Sequence, residues 1–203
     1  GKIIRVYDSC CGTGGMLTTM KRKLTGMGIK PENVRLYGQD VNPEAYAVCC
    51  AEMLMLDENP ANIREGNTLT EDRFPGERFN LLITNPPFGV EWKTEKKTVE
   101  AELKQPNNRF VAGTPRVSDG QLLFLQNLLA KAEDDARIAI ILNGSPLFSG
   151  DAGSGESEIR RYVLTNHLLE AIVALPDQMF YNTGIFTYIW IPVSYTHLTL
   201  PTT

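Results

Sequence analysis

The amino-acid sequence predicts an α/β fold, a doubly wound and mostly parallel sheet. Three observations carry this. Short β-prone runs alternate with helical stretches along the whole chain, a glycine-rich turn stands directly between the first strand and the first helix, and the chain closes on two β-prone runs in succession. At 203 residues the chain makes one domain with room for a real core, and no internal repeat or interdomain linker divides it.

Residues 3–7 form the first β-prone run and lead straight into Asp8-Ser9-Cys10-Cys11-Gly12-Thr13-Gly14-Gly15. Glycines at such a turn let the backbone approach a ligand closely. Over residues 15–27, Met16, Leu17, Met20, Leu24 and Met27 recur at helical spacing. The turn is not a P-loop, because no Lys-Ser/Thr pair closes it, and Leu17 stands where a dinucleotide fingerprint has its third glycine. Alone, it identifies nothing.

A second strand over residues 34–38 ends in Gln39-Asp40. An acidic residue at that tip is placed to take the hydroxyls of a ribose. Asp40 could instead cap a helix, but Asn42 before Pro43 already has the form of an N-cap with proline at the first helical position. The ribose reading therefore leads.

The apolar run at residues 79–83 stops at Asn85-Pro86-Pro87-Phe88. This is a device for holding a planar amino group. The Asn85 side-chain oxygen and the Pro86 carbonyl can each accept a hydrogen bond from an amine, and proline brings no N–H to compete. Phe88 offers a flat face for stacking. An exocyclic amine such as adenine N6 is a poor nucleophile because its lone pair is delocalised into the ring. Two acceptors favour the pyramidal nitrogen that develops in a transition state. A bare proline-rich turn is the competing reading.

Residues 89–118 make a long excursion after that turn. Lys93, Lys96, Lys97, Lys104, Arg109 and Arg116 stand there with Trp92 and Phe110, while Glu91, Glu95, Glu100 and Glu102 offset four of the charges. A solvated loop and a nucleic-acid-facing loop are equally open. Ser118-Asp119-Gly120-Gln121 has the form of a capping box, making Asp119 a helix-start charge rather than a catalytic base. Leu122, Leu123, Leu125, Leu128 and Leu129 continue that helix. A buried strand over 137–142, a mobile glycine- and serine-rich loop over 144–155, a helix over 156–164 and two β-prone runs over 169–175 and 184–191 complete the pattern.

The cysteines form adjacent pairs, Cys10-Cys11 and Cys49-Cys50, which suit neither a zinc site nor a secreted disulfide framework. Reduced thiols and no metal site are expected. His167, in the polar break Thr165-Asn166-His167, reads as a surface or capping residue. No apolar run has membrane-spanning length, and no signal peptide is evident, so a soluble cytoplasmic chain is expected. The net charge of −4 is awkward for binding a polyanion, because phosphate contacts need lysine and arginine.

Taken in order, Asp8 to Gly15, Gly38-Gln39-Asp40-Val41-Asn42-Pro43, Gly66-Asn67-Thr68-Leu69 and Asn85-Pro86-Pro87-Phe88-Gly89 resemble the motifs of S-adenosylmethionine-dependent N6-adenine DNA methyltransferases. The chain looks most like the modification subunit of type I restriction enzymes. Residues 137–142, Pro146-Leu147-Phe148, Ile159-Arg160 and Leu175-Pro176-Asp177-Gln178-Met179-Phe180 add to that likeness, which covers nearly all of residues 3–191. Each motif is ambiguous; four in order are a strong signal.

The resemblance implies a Rossmann-like, seven-stranded sheet with an antiparallel last strand. It also implies roles. Asp8, Gly12 and Gly14 surround the methionine part of the cofactor, with Thr13 among the contacts, Asp40 takes the ribose and Asn67 the adenine edge, and Asn85, Pro86 and Phe88 hold the target base. Ser9 and Cys10 replace the family's proline and alanine, and Asn67 replaces its aspartate. Asparagine can accept or donate, whereas aspartate only accepts. Implied partners are double-stranded DNA, a specificity subunit and a restriction subunit. The alternatives are a protein-glutamine or RNA-guanine methyltransferase, which use Asn-Pro-Pro plus an aromatic but a shorter excursion, and an inactive cofactor-binding fragment. The expected catalytic domain is 1–191, without the family's N-terminal helical domain. Residues 192–203 read as a non-native tail.

Overall fold

The computed structural model describes residues 2–176, 179 and 184–194. Seven strands form one sheet: β1 (Ile4–Asp8), β2 (Val34–Asp40), β3 (Ile63–Glu65), β4 (Phe79–Thr84), β5 (Ala132–Asn143), β6 (Leu169–Ala174) and β7 (Thr187–Pro192). Their order is β3-β2-β1-β4-β5-β7-β6. The pairs β1–β2, β1–β4, β2–β3 and β4–β5 are parallel, and β7 runs antiparallel to both neighbours. The chain begins at β1, works outward to β3, then returns to the other side of β1 with β4. That reversal creates the crevice at which doubly wound sheets bind ligands.

The helices are α1 (Gly15–Gly26), α2 (Pro43–Met55), α3 (Lys96–Glu102), α4 (Gln121–Ala130), α5 (Ser145–Phe148) and α6 (Gly155–Thr165). Successive side chains of a strand point to opposite faces. Val6 and Tyr7 are neighbours on β1 yet belong to different cores. Val6 packs with Leu17 and Leu24 of α1 and Cys49 and Met53 of α2. Tyr7 packs with Phe74, Phe79 and the leucines of α4. Its ring stacks on Phe79 with centroids 4.5 Å apart. Each face thus has its own apolar layer, which fixes the sheet between two sets of helices.

Several expectations need correction. Trp92 and Phe110 of the 89–118 excursion are buried core residues, and Arg109 is only 6% exposed. The Arg109 guanidinium donates to Glu102 Oε1 at 2.8 Å, the Thr68 carbonyl at 2.7 Å and Asn127 Oδ1 at 3.0 Å. Its charge holds the excursion to the fold and does not face a nucleic acid. The capping box at Ser118 does not form: Asp119, one residue outside the α4 N-cap, accepts from the Gln121 backbone N–H at 3.2 Å and its side chain at 2.9 Å. Residues 144–155 are pinned, since Arg160 donates to the carbonyls of Pro146 and Ser149 at 3.1 and 2.6 Å. His167 does end a helix. Its φ of 54° lets the Leu168 N–H reach the Val163 carbonyl at 2.8 Å, in a Schellman closure.

Residues 195–203 of the expected tail lie outside the described residues, as do Asp177, Gln178 and Phe180. Pro192 and Val193 belong to the sheet. Pro192 pairs with Leu169, and Val193 is 3% exposed with its N–H on the Leu168 carbonyl at 3.0 Å.

Candidate active site

The tips of β1, β2, β3 and β4 meet around one cavity of about 520 Å³. Its wall includes Ser9, Cys10, Asp40, Asn67, Thr68, Asn85, Pro87, Trp92, Glu95 and Phe124. A larger hollow of about 860 Å³ runs by Asp72, Arg78, Lys131 and Ala132. It lies at the starting ends of β4 and β5, away from the motif residues and from the edge where such sheets bind ligands. The smaller cavity is the candidate site.

The glycine turn is set from two directions. Gly12 has φ 52° and its N–H donates to Asp40 Oδ2 at 2.7 Å. Gly14 has φ 90°, and a Cβ there would come within 2.8 Å of Cys49 Sγ on α2. Only glycine suits both the conformation and the approach. Asp40 Oδ1 accepts from the Asn42 N–H at 2.9 Å, while Asn42 Oδ1 caps α2 by accepting from Glu44 and Ala45. Asp40 therefore shapes the turn in addition to lining the cavity, and a carboxylate has acceptor capacity beyond two bonds. By contrast, the first turn of α1 has no side-chain cap and no acidic residue. Its N–H groups and its dipole suit an anion.

Asp8 is fully buried at the end of β1. Its Oδ1 accepts from the Cys10 N–H at 3.0 Å and the Thr84 hydroxyl at 2.9 Å. Oδ2 is buried with no hydrogen-bond partner among the described residues. Burial pushes its pKa up to about 7, against the opposing hydrogen bonds from Cys10 and Thr84. Ser9 ties the strand tips together, donating to Thr84 Oγ1 at 3.0 Å and accepting at its carbonyl from the Thr68 hydroxyl at 2.6 Å.

Asn85 stands one residue beyond β4, in the cavity wall, with Oδ1 buried and unpartnered among the described residues. Pro86 is buried and Phe88 half-buried. Gly89 (φ 59°) turns the chain back after them. Of the sequence candidates, the wall itself takes Asp40, Asn67 and Asn85. Asp8, Gly12, Thr13, Gly14, Pro86 and Phe88 do not line it; Gly12 is tied to it through Asp40, Asp8 through Cys10, and Pro86 lies between two wall residues. Sequence reasoning missed Thr68, Trp92 and Glu95. Trp92 and Glu95 follow Phe88 closely, but the mixed charges around them left that segment open between a solvated loop and a nucleic-acid-facing one.

These motif positions match a known family along almost the whole chain. A sequence model of N-6 DNA methylases matches residues 2–193. The chain belongs to the N-6 DNA methylase family. It is 27% identical over 186 residues to the type I restriction enzyme MjaIX methylase subunit of Methanocaldococcus jannaschii, covering 91% of this chain and 32% of that protein. It is 28% identical over 190 residues to the HindI methylase subunit of Haemophilus influenzae, covering 92% and 40%. A solved structure of a type I restriction-modification methyltransferase subunit from Streptococcus thermophilus superposes with a TM-score of 0.82 at 24% identity, over 95% of this chain and 40% of that one. The chain therefore spans between 32% and 40% of the length of these relatives. The shared architecture is the Rossmann-like fold of class I methyltransferases, with the antiparallel strand β7 inserted next to the edge. Among the described residues, no helix is long and apolar enough to cross a membrane.

Proposed function

We propose that this chain is the catalytic domain of a cytoplasmic enzyme that transfers a methyl group from S-adenosylmethionine to the N6 amine of adenine in double-stranded DNA. On this reading it belongs to the modification subunit of a type I restriction system. The observation that carries the reading is the buried, unpartnered Asn85 Oδ1 in the wall of a cavity shared with Asp40 and Asn67. A buried acceptor left unpaired costs about 1–3 kcal/mol, so it marks a place where a donor is to arrive.

The residues fit the cofactor. A cavity of about 520 Å³ is of small-molecule size. The uncapped start of α1 suits a carboxylate and the orphaned Asp8 Oδ2 an ammonium group, the two ends of an amino acid. Asp40 suits ribose hydroxyls. When bound, S-adenosylmethionine supplies an electrophilic methyl group on a sulfonium. Asn85 Oδ1 and the Pro86 carbonyl then accept from the target amine, drawing its lone pair out of the ring, and Phe88 stacks on the base. The amine must come out of the duplex to reach them.

The excursion beside the cavity carries few free cations for gripping DNA. Lys93, Lys97 and Lys104 are exposed on the excursion, while Lys96 lies 3.7 Å from Glu100. With a net charge of −4 and no groove-reading module among the described residues, choice of sequence falls to a partner, a specificity subunit, and to other parts of the enzyme, with a restriction subunit completing the system. The test is transfer of a labelled methyl group to duplex DNA, RNA and protein by the chain with its partner subunit. Label on adenine N6 of DNA is expected. Label confined to RNA or protein glutamine overturns the reading.

A further inference from the structure

The corner of the cavity formed by Asn67 and Glu95 has an unexpected division of labour. Asn67 Oδ1 accepts from the Leu69 backbone N–H at 2.9 Å, an Asx turn that sets the loop after β3. With its oxygen committed there, its amide nitrogen points the other way and donates to Glu95 Oε1 at 2.9 Å. Asn67 therefore offers the cavity a donor. The acceptor in this corner is the Glu95 carboxylate, which lines the same wall and is steadied at Oε2 by the Thr94 hydroxyl at 2.7 Å. Two other carboxylates line the cavity. Asp40, at the tip of β2, is the ribose residue of the cofactor reading and is anchored to the Gly12 and Asn42 N–H groups, and Glu91 is solvent-exposed.

We propose that Glu95 is the residue that recognises the exocyclic amine of the cofactor's adenine, with Asn67 as the positioning residue that holds its carboxylate in place. This rests on reading the cavity as the cofactor site and names the group that makes it selective for adenine. A carboxylate accepts from an amine and repels a carbonyl oxygen. It therefore selects an adenine ring over one in which oxygen replaces that amine, and a site built to bond a polar group rejects the analogue lacking it strongly. On this account the acceptor comes from the residue just before α3, which reaches the corner from across the excursion.

Calorimetric titration of the chain with S-adenosylhomocysteine and with S-inosylhomocysteine tests this. The wild type should bind the adenosyl compound about ten- to a hundredfold more tightly. Glu95→Gln, whose amide can present either an acceptor or a donor, should bring that ratio below about threefold. Glu91→Gln should keep the wild-type ratio. Loss of packing weakens both compounds together, so the ratio separates recognition from damage to the fold. An unchanged ratio in Glu95→Gln, or a collapse in Glu91→Gln instead, overturns the proposal while leaving the cofactor reading intact. Failure of the wild type to bind either compound overturns both.

Discussion

The tips of β2 and β4 flank β1 on opposite sides, and each carries a candidate binding residue, yet the two residues use their acceptors in opposite ways. Asp40 gives its oxygens to backbone N–H groups of its own chain, at 2.7 Å to Gly12 and 2.9 Å to Asn42. Asn85 keeps Oδ1 buried with no partner among the described residues. The first tip builds the floor of the site, holding the glycine turn and the start of α2. The second is unfinished until a donor arrives. Asp8 combines the two, with Oδ1 bonded into the framework and Oδ2 left over. An orphaned acceptor in the cavity wall marks a place where a donor is to arrive, while a bonded carboxylate such as Asp40 both holds the frame and keeps acceptor capacity for a ligand.

The largest effect should come from the unfinished side. Asn85→Ala should lower methyl transfer by on the order of a thousandfold, as removal of one preorganised polar group at a reacting centre does. It should leave the melting temperature unchanged or slightly higher, because it removes an unpaired buried acceptor. Turnover and thermal unfolding of one purified variant check both. Normal turnover would mean that the orphaned oxygen awaits something other than the substrate.

A smaller effect belongs to Asp8. Its pKa of about 7 in the folded protein lies above the ordinary 3.8. The folded state therefore keeps a proton that the unfolded state releases, so this group's contribution to stability is complete below about pH 4 and is lost as pH rises through 7. An ammonium group at Oδ2 would favour the carboxylate. Cofactor affinity should then climb with pH below 7, by up to about tenfold per unit, with release of a proton on binding. Titrations in buffers of different ionisation enthalpy read that proton directly. Affinity that is flat from pH 5.5 to 7 would remove Asp8 from the cofactor's cationic end.

Much of the floor was legible in the sequence because its signals are local. Glycines at the turn, Asn42-Pro43 at a helix start and Asn85-Pro86-Pro87-Phe88 after an apolar run are read within a few residues of one another. What was missed depends on contacts between distant segments. Charge counting treats side chains as solvated, so Arg109 counted among the cations of a solvent- or DNA-facing loop, whereas it turns inward onto Glu102 and the Thr68 carbonyl. β3 has only three residues, too few for a period. Glu95 was counted as an offset to nearby lysines, and its role emerges only from its bond to Asn67, 28 residues earlier.

Titration of S-adenosylmethionine into Asp40→Ala and Asn85→Ala, side by side with the wild type, tests the contrast between the two tips most directly. Asp40→Ala should weaken binding about ten- to a hundredfold, as loss of a charged acceptor does, and Asn85→Ala should bind like the wild type. Equal affinity in wild type and Asp40→Ala, or a matching loss in Asn85→Ala, would contradict the assignment of one tip to the cofactor and the other to the base.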